Sequence, residues 1–342
     1  MYYQYRLSVI ATALLFGCMS CNPMGETVHK PGIEVNKSGP QWHLGAMVSA
    51  ANPHAVDAAT AILAKGGSAI DAVIAAHTVL GLVEPQSSGL GGGAFLLNYN
   101  NATDDLSFID GRETAPALAS IDMFMKDNEA MGFIEAWQSG IAVGTPGAVA
   151  LYASAHQMGG RLPWPDLFET AIELASNGFL VSPRLAGYLP AMARRSRLAI
   201  NPDTAAYFYP EGEALQEGDL LKNPAYAETL NRIASEGPSA FYTGDIAQAI
   251  VKAAKAEPNG GSISLTDLAN YSTVNRPVIC GPFRNLKICT TSPPSSGGAQ
   301  IMIANLYDHL ISDGSNDADR VAAFTDAQRL AYADRDHYFG DP

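Results

Sequence analysis

Apolar and polar positions along this chain fall into blocks whose ends are clearly marked. In NPHAVDAATAILAKGG, Asn52 takes the N-cap position, Pro53 the first helical position and Gly66-Gly67 the stop. SAIDAVIAAHTVLGLVEP reads as a second helix, opened by Ser68 and ended before Pro85, apolar on nearly every face as a buried helix requires. The same punctuation recurs in TPGAVALYASAHQMGG, PWPDLFETAIELASNG, SPRLAGYLPAMARRSRL, NPAYAETLNRIASEG and TGDIAQAIVKAAKAEPNGG, and the spacing predicts a helix in each. AFLLNYN and LSFIDG, joined by the polar turn NATDD, read as paired strands. PVICG and LKICTT form a second pair, followed by the loop SPPSSGG and the helix AQIMIANLYDHL. AMVSA, residues 46–50, is expected as a short opening strand. With no repeat and no linker after residue 45, the pattern predicts one domain mixing helices and strands.

Ahead of that domain the chain changes character. Arg6 precedes the apolar run Leu7 to Cys21, which at 15 residues is short for a bilayer span of about 20 and suits an export leader. Gly17 before Cys18 resembles a lipoprotein lipobox, with Cys18 as the lipidated residue; Cys21 is the second choice, and plain leader cleavage without lipid is the alternative. Residues 1–21 therefore read as a signal peptide of lipoprotein type, 22–44 as a Gly- and Pro-containing tether, and 45–342 as the folded part. The expected location is outside the cytoplasm, anchored to a membrane through lipid.

Composition narrows the partners. A formal charge of -13 with 16% charged residues leaves no basic stripe for phosphates, so nucleic acid is excluded as a partner. No metal-ligand constellation stands out, and no cofactor is expected.

Five features bear on chemistry. Gly-Leu-Gly-Gly-Gly-Ala, residues 89–94, satisfies a dinucleotide-binding pattern. That pattern needs a strand before it and a helix after it, whereas here a helix precedes and a strand follows. The glycines are instead expected to serve a sharp turn, through conformations or close approaches that larger side chains forbid. In SPPSSGG, Ser295 or Ser296 is expected to cap the next helix, and no nucleophile elbow surrounds either. His77 lacks an acidic or histidine partner at ligand spacing and reads as a core residue, while Cys280 and Cys289 would face each other across a turn at Arg284-Asn285, as a disulfide or as buried thiols. Arg112, in DGRETAP, follows a strand end beside Asp110 and Glu113; its fork suits a carboxylate, with an ordinary salt bridge as the plain alternative.

Taken in order, GGSAIDAVIAAHTVLGLVEPQSSGLGGGAFLLNYN, FIDGRETAP, VGTPGAVALYASAHQMGG, EGPSAFYTGDIAQAI, SPPSSGGAQ and AYADRDHYFGDP resemble the γ-glutamyltranspeptidases, or glutathione hydrolases, of the N-terminal-nucleophile superfamily. The resemblance implies an α+β fold, a four-layer αββα sandwich made as one precursor that cuts itself into a large and a small subunit. The small subunit's new N-terminal threonine would be the nucleophile, its own α-amine the base. Donors would be glutathione and other γ-glutamyl compounds; acceptors would be water, amino acids or peptides. The family's arginine that clamps the donor α-carboxylate matches Arg112. The family's threonine lies beyond the position matching Pro342, and Thr290-Thr291 fall in a strand instead, so no residue of this chain is expected to be the nucleophile. The expectation is thus a large-subunit portion, inactive alone, whose partner is its own small subunit. Two rivals share the pattern: a β-lactam (cephalosporin) acylase of the same superfamily and a non-catalytic peptide-binding lipoprotein.

Overall fold

In the computed structural model, which describes residues 45–340 except 197 and 313, the helix punctuation works as chemistry. Helix α1 (Pro53–Ala64) starts where the Asn52 side chain accepts the His54 N–H, and ends at Gly66, whose φ of 89° needs glycine. Helix α2 (Ala69–Val83) opens with a capping box in which Ser68 and Asp71 satisfy each other's backbone N–H. The α1 face of Ala55, Ala58, Ala59 and Ile62 is buried, and α1 lies along α2.

Strands β1 (Ala94–Asn100) and β2 (Asp105–Gly111) pair antiparallel, from Ala94 opposite Gly111 to Asn100 opposite Asp105. Helices α3 (Ala148–Gly159), α4 (Glu169–Asn177), α5 (Pro183–Arg195), α6 (Pro224–Glu236) and α7 (Gly244–Ala254) follow. The chain then returns as β3 (Val274–Arg276), which joins β2 with Val274 opposite Asp110. A hairpin of β4 (Val278–Phe283) and β5 (Leu286–Thr291) comes next, and helices α8 (Gly297–Leu310) and α9 (Asp317–Tyr338) close the described chain. Every named strand pairing is antiparallel, and α3 packs on β1 and β2, which makes the class α+β.

The core is centred on α2, α3, α4 and α6, with Ile74, Leu82, Phe168, Leu230 and Ile233 almost fully removed from solvent. Each such side chain stabilises the fold by roughly 1.5–3 kcal/mol through burial. Two carboxylates are buried with it. Asp71 is 0% exposed and its Oδ2 accepts from the N–H groups of Ser68, Arg161 and Leu162, tying the start of α2 to the turn after α3. Glu84, 2% exposed, takes hydrogen bonds from Asn52, Gln86 and Arg184.

One predicted strand is not there. Residues 46–50 form no strand, and Met47 is 81% exposed. Apolar alternation makes a strand only where a partner edge offers hydrogen bonds, and no described strand pairs with this segment.

Candidate functional site

The glycine turn decides the geometry around Arg112. Glycines 89, 91, 92 and 93 all lie outside the left-handed region, so conformational freedom is not why they are there. Approach is the reason, and it falls on Gly93: a Cβ on it would stand 2.5 Å from the Gly111 carbonyl oxygen and 2.8 Å from both Arg112 Cα and Glu113 N. A Cβ at Gly89 or Gly91 meets nothing within 4 Å. The Gly92 carbonyl accepts the N–H groups of Gly147 and Ala148, each at 3.0 Å. Gly147 in turn packs so closely on the Gly111 carbonyl and the Tyr271 hydroxyl that no side chain fits there. The turn is a place where three backbone segments meet, and the helix needed for a phosphate cradle is replaced by β1.

This packing fixes the backbone of Arg112 on both sides. Its N–H donates to Asp110 Oδ1 at 2.9 Å, and its carbonyl accepts from Tyr271 Oη at 2.7 Å. Burial first, then the Asp110 and Glu113 charges, raise the Tyr271 phenol above its ordinary value, so it stays a protonated donor. The Arg112 side chain, by contrast, is exposed. Its guanidinium lies 6.0 Å from the Phe95 ring centroid and reaches the Pro294 carbonyl at 3.5 Å. The plain alternative of an internal salt bridge is not realised: among the described residues no carboxylate pairs with Arg112. Asp110, 5% exposed, pairs with Arg276 at 2.6 Å instead.

Across from Arg112 the SPPSSGG loop is held by its own hydroxyls. Ser295 Oγ accepts the Gly297 N–H and bonds Thr291 Oγ1 at 2.6 Å, so Ser295 supplies the side-chain cap of α8. Ser296 occupies the N-cap position but caps nothing; its Oγ accepts from Arg335 Nε of α9 at 3.1 Å. Thr290 and Thr291 sit within β5, paired with Ile279 and Val278.

His77 is a satisfied core residue, with Nδ1 against Tyr152 Oη and Nε2 3.1 Å from Ser88 Oγ. Burial lowers its pKa, and a neutral tyrosine stands where a serine hydrolase would place a carboxylate. Cys280 and Cys289 face each other in register and form a disulfide, with the turn at Arg284-Asn285 as expected. Among the described residues, no three or more His, Cys, Asp or Glu gather as a metal site, and no helix is long and apolar enough to cross a membrane. Cys18, Cys21, the leader 1–21 and the tether 22–44 lie outside the described residues.

Arg276 and Tyr271 went unrecognised from sequence. Nothing local marks them, since Arg276 is 166 residues from Asp110 and Tyr271 is 159 from Arg112.

Residues 55–342 match the family model for γ-glutamyltranspeptidase. The chain belongs to the γ-glutamyltranspeptidase family. Against the glutathione hydrolase proenzyme of Escherichia coli it is 36% identical over 91% of this chain and 53% of that protein. The proenzyme of Bacillus subtilis gives 36% identity over 91% and 51%. The chain thus spans about half the length of these curated relatives. The crystal structure of Helicobacter pylori γ-glutamyltranspeptidase superposes with a TM-score of 0.80 at 33% identity, covering 86% of this chain and 84% of that chain. These likenesses place the α+β fold of this γ-glutamyltranspeptidase-family chain in the N-terminal-nucleophile hydrolase class.

Proposed function

We propose that this chain is the large-subunit portion of a γ-glutamyltransferase and glutathione hydrolase, and that Arg112 binds the α-carboxylate of the γ-glutamyl donor. The observation that carries the reading is an exposed guanidinium, fixed at its backbone on both sides and without an internal carboxylate. A planar fork on a backbone so held offers two parallel N–H donors to an incoming carboxylate. Phe95 beneath it and the Pro294 carbonyl beside it limit where that carboxylate sits.

The curated relatives are about twice as long and are named as proenzymes, which supports assigning the nucleophile to the half that this chain does not match. In this reading the threonine Oγ attacks the γ-carbonyl of the donor, and its own α-amine takes the proton. The amide bond breaks as that proton passes to the leaving amine, which departs and leaves a γ-glutamyl ester. Water, or the amine of an amino acid or peptide, then attacks the ester and restores the hydroxyl. Arg112 contributes by holding the donor so that its γ-carbonyl meets the nucleophile.

In the complete enzyme, Arg112→Ala is expected to raise the KM for glutathione about 100-fold, the order expected for loss of a bidentate charged contact. Arg112→Lys, which keeps the charge but not the fork, should recover only part of that loss. A parental KM in Arg112→Ala would refute the assignment.

A further inference from the structure

Arg112 stands between two carboxylates that could neutralise it, Asp110 two residues before and Glu113 one after. Neither does so. Asp110 uses both oxygens elsewhere: Oδ1 accepts the Arg112 backbone N–H at 2.9 Å, and Oδ2 accepts from Arg276 Nε at 2.6 Å. Glu113 is turned toward the glycine turn, its Oε1 3.4 Å from the point where a Gly92 Cβ would stand. Arg276 reaches Asp110 because β3 pairs with β2 at this end, Asn275 opposite Ile109 and Val274 opposite Asp110. The Asp110–Arg276 pair is largely sheltered, with side-chain exposures of 6% and 21%.

A sheltered carboxylate that loses its cation is strongly unfavourable. A flexible cation close by in the chain is the guanidinium of Arg112, two residues along the same strand end, whose backbone N–H already donates to Asp110. We infer that Arg276 is a positioning residue: by occupying Asp110 it keeps that carboxylate off Arg112, and leaves the guanidinium to the carboxylate of the donor. This rests on the assignment of Arg112 as the donor clamp. It adds that selectivity for a carboxylate is protected by an ion pair whose second member comes from another strand.

The size of the effect follows from competition. If Asp110 occupies Arg112 nine times in ten once Arg276 is gone, the competent fraction falls to about one tenth and the apparent affinity weakens about tenfold. The chemistry after binding is untouched, so kcat should stay within about twofold.

The test is a set of variants of the complete enzyme, assayed for KM and kcat with glutathione and for Tm. Arg276→Met should raise KM about tenfold with kcat nearly unchanged. Adding Asp110→Asn, which keeps an acceptor for the Arg112 N–H but removes the competing charge, should bring KM back to within about threefold of the parent. Arg276→Lys, which keeps a cation on Asp110, should stay near the parent. If Arg276→Met does not fold, Arg276→Gln, a donor without charge, takes its place with the same expected direction and the same rescue. A purely structural Arg276 would lower Tm, and with it the active fraction and kcat, while KM stayed parental, whether or not Asp110→Asn restored the Tm by removing the unpaired carboxylate. The inference is overturned if Arg276→Met and Arg276→Gln keep the parental KM, or if the double variant is as poor as the single one. Arg112→Ala in the same series separates the two claims. If its KM is parental, the donor-clamp reading has failed; if its KM rises while the Arg276 variants are parental, only the positioning role has failed.

Discussion

Gly93→Ala tests whether the glycine turn is built for approach. The added methyl would stand 2.5 Å from the Gly111 oxygen, 2.8 Å from Arg112 Cα and 2.8 Å from Glu113 N. Non-bonded carbon contacts settle near 3.5–4.0 Å, so the two chains must separate by about 1 Å. All three atoms belong to the backbone, and no side chain can swing aside. The movement falls on the Ala94–Gly111 end of the β1–β2 pair, directly beside Arg112. Overpacking of this kind costs about 1–3 kcal/mol, and the upper part of that range is expected where only backbone can yield. Gly91→Ala is the internal control. Its Cβ meets nothing within 4 Å and its φ is not left-handed, so the change should be neutral or stabilise by up to about 1 kcal/mol through the unfolded chain. Urea denaturation of both variants beside the parent reads the difference as a midpoint shift at unchanged slope. A Gly93→Ala protein with the parental midpoint, or a Gly91→Ala protein damaged as badly, would refute the approach argument.

Asp71→Ala removes the acceptor of three backbone N–H groups at a fully buried position, and about 3 kcal/mol or more of stability should go with it; a urea midpoint within error of the parent would show those bonds to be idle. His77 predicts a pH dependence. Burial lowers its folded pKa below the ordinary value of about 6.5, so the unfolded chain binds more protons as pH falls through that value. The penalty on folding is absent above about pH 7 and grows from about 6.5 down toward the lowered folded value. The stability of the parent minus that of His77→Gln should therefore fall between pH 7 and pH 5, and a difference that stays flat would remove the assignment.

Helix ends were legible in the sequence because they are local chemistry. Asn52, Ser68, Ser182 and Asn223 each accept a backbone N–H within three residues, and a reader needs only neighbouring letters to see it. The glycines were half legible: helix before and strand after exclude a phosphate cradle, but only the fold tells that Gly93 touches Gly111 while Gly91 touches nothing. Residues 46–50 carried a strand pattern without a strand, since pattern reports a preference and pairing needs an edge. Which of the two serines of SPPSSGG caps the helix was not legible, for a similar reason. Ser296 is claimed by Arg335, a partner 39 residues away, and Ser295 is the one that caps. Arg112 could be singled out by type and position, whereas the ion pair that leaves it uncompensated spans 166 residues and has no signature in either segment.

The bond between Cys280 and Cys289 changes the chain from a line into a line with a ring. Any break in the backbone between those two residues opens the ring and releases nothing. The turn at Arg284 and Asn285 is exposed, so a protease can reach the backbone there. A molecule nicked there would keep its mass, apart from one added water, and would run as a single species until a reductant parted it. α8, α9 and the loop facing Arg112 would stay tethered to the rest of the fold by two sulfur atoms.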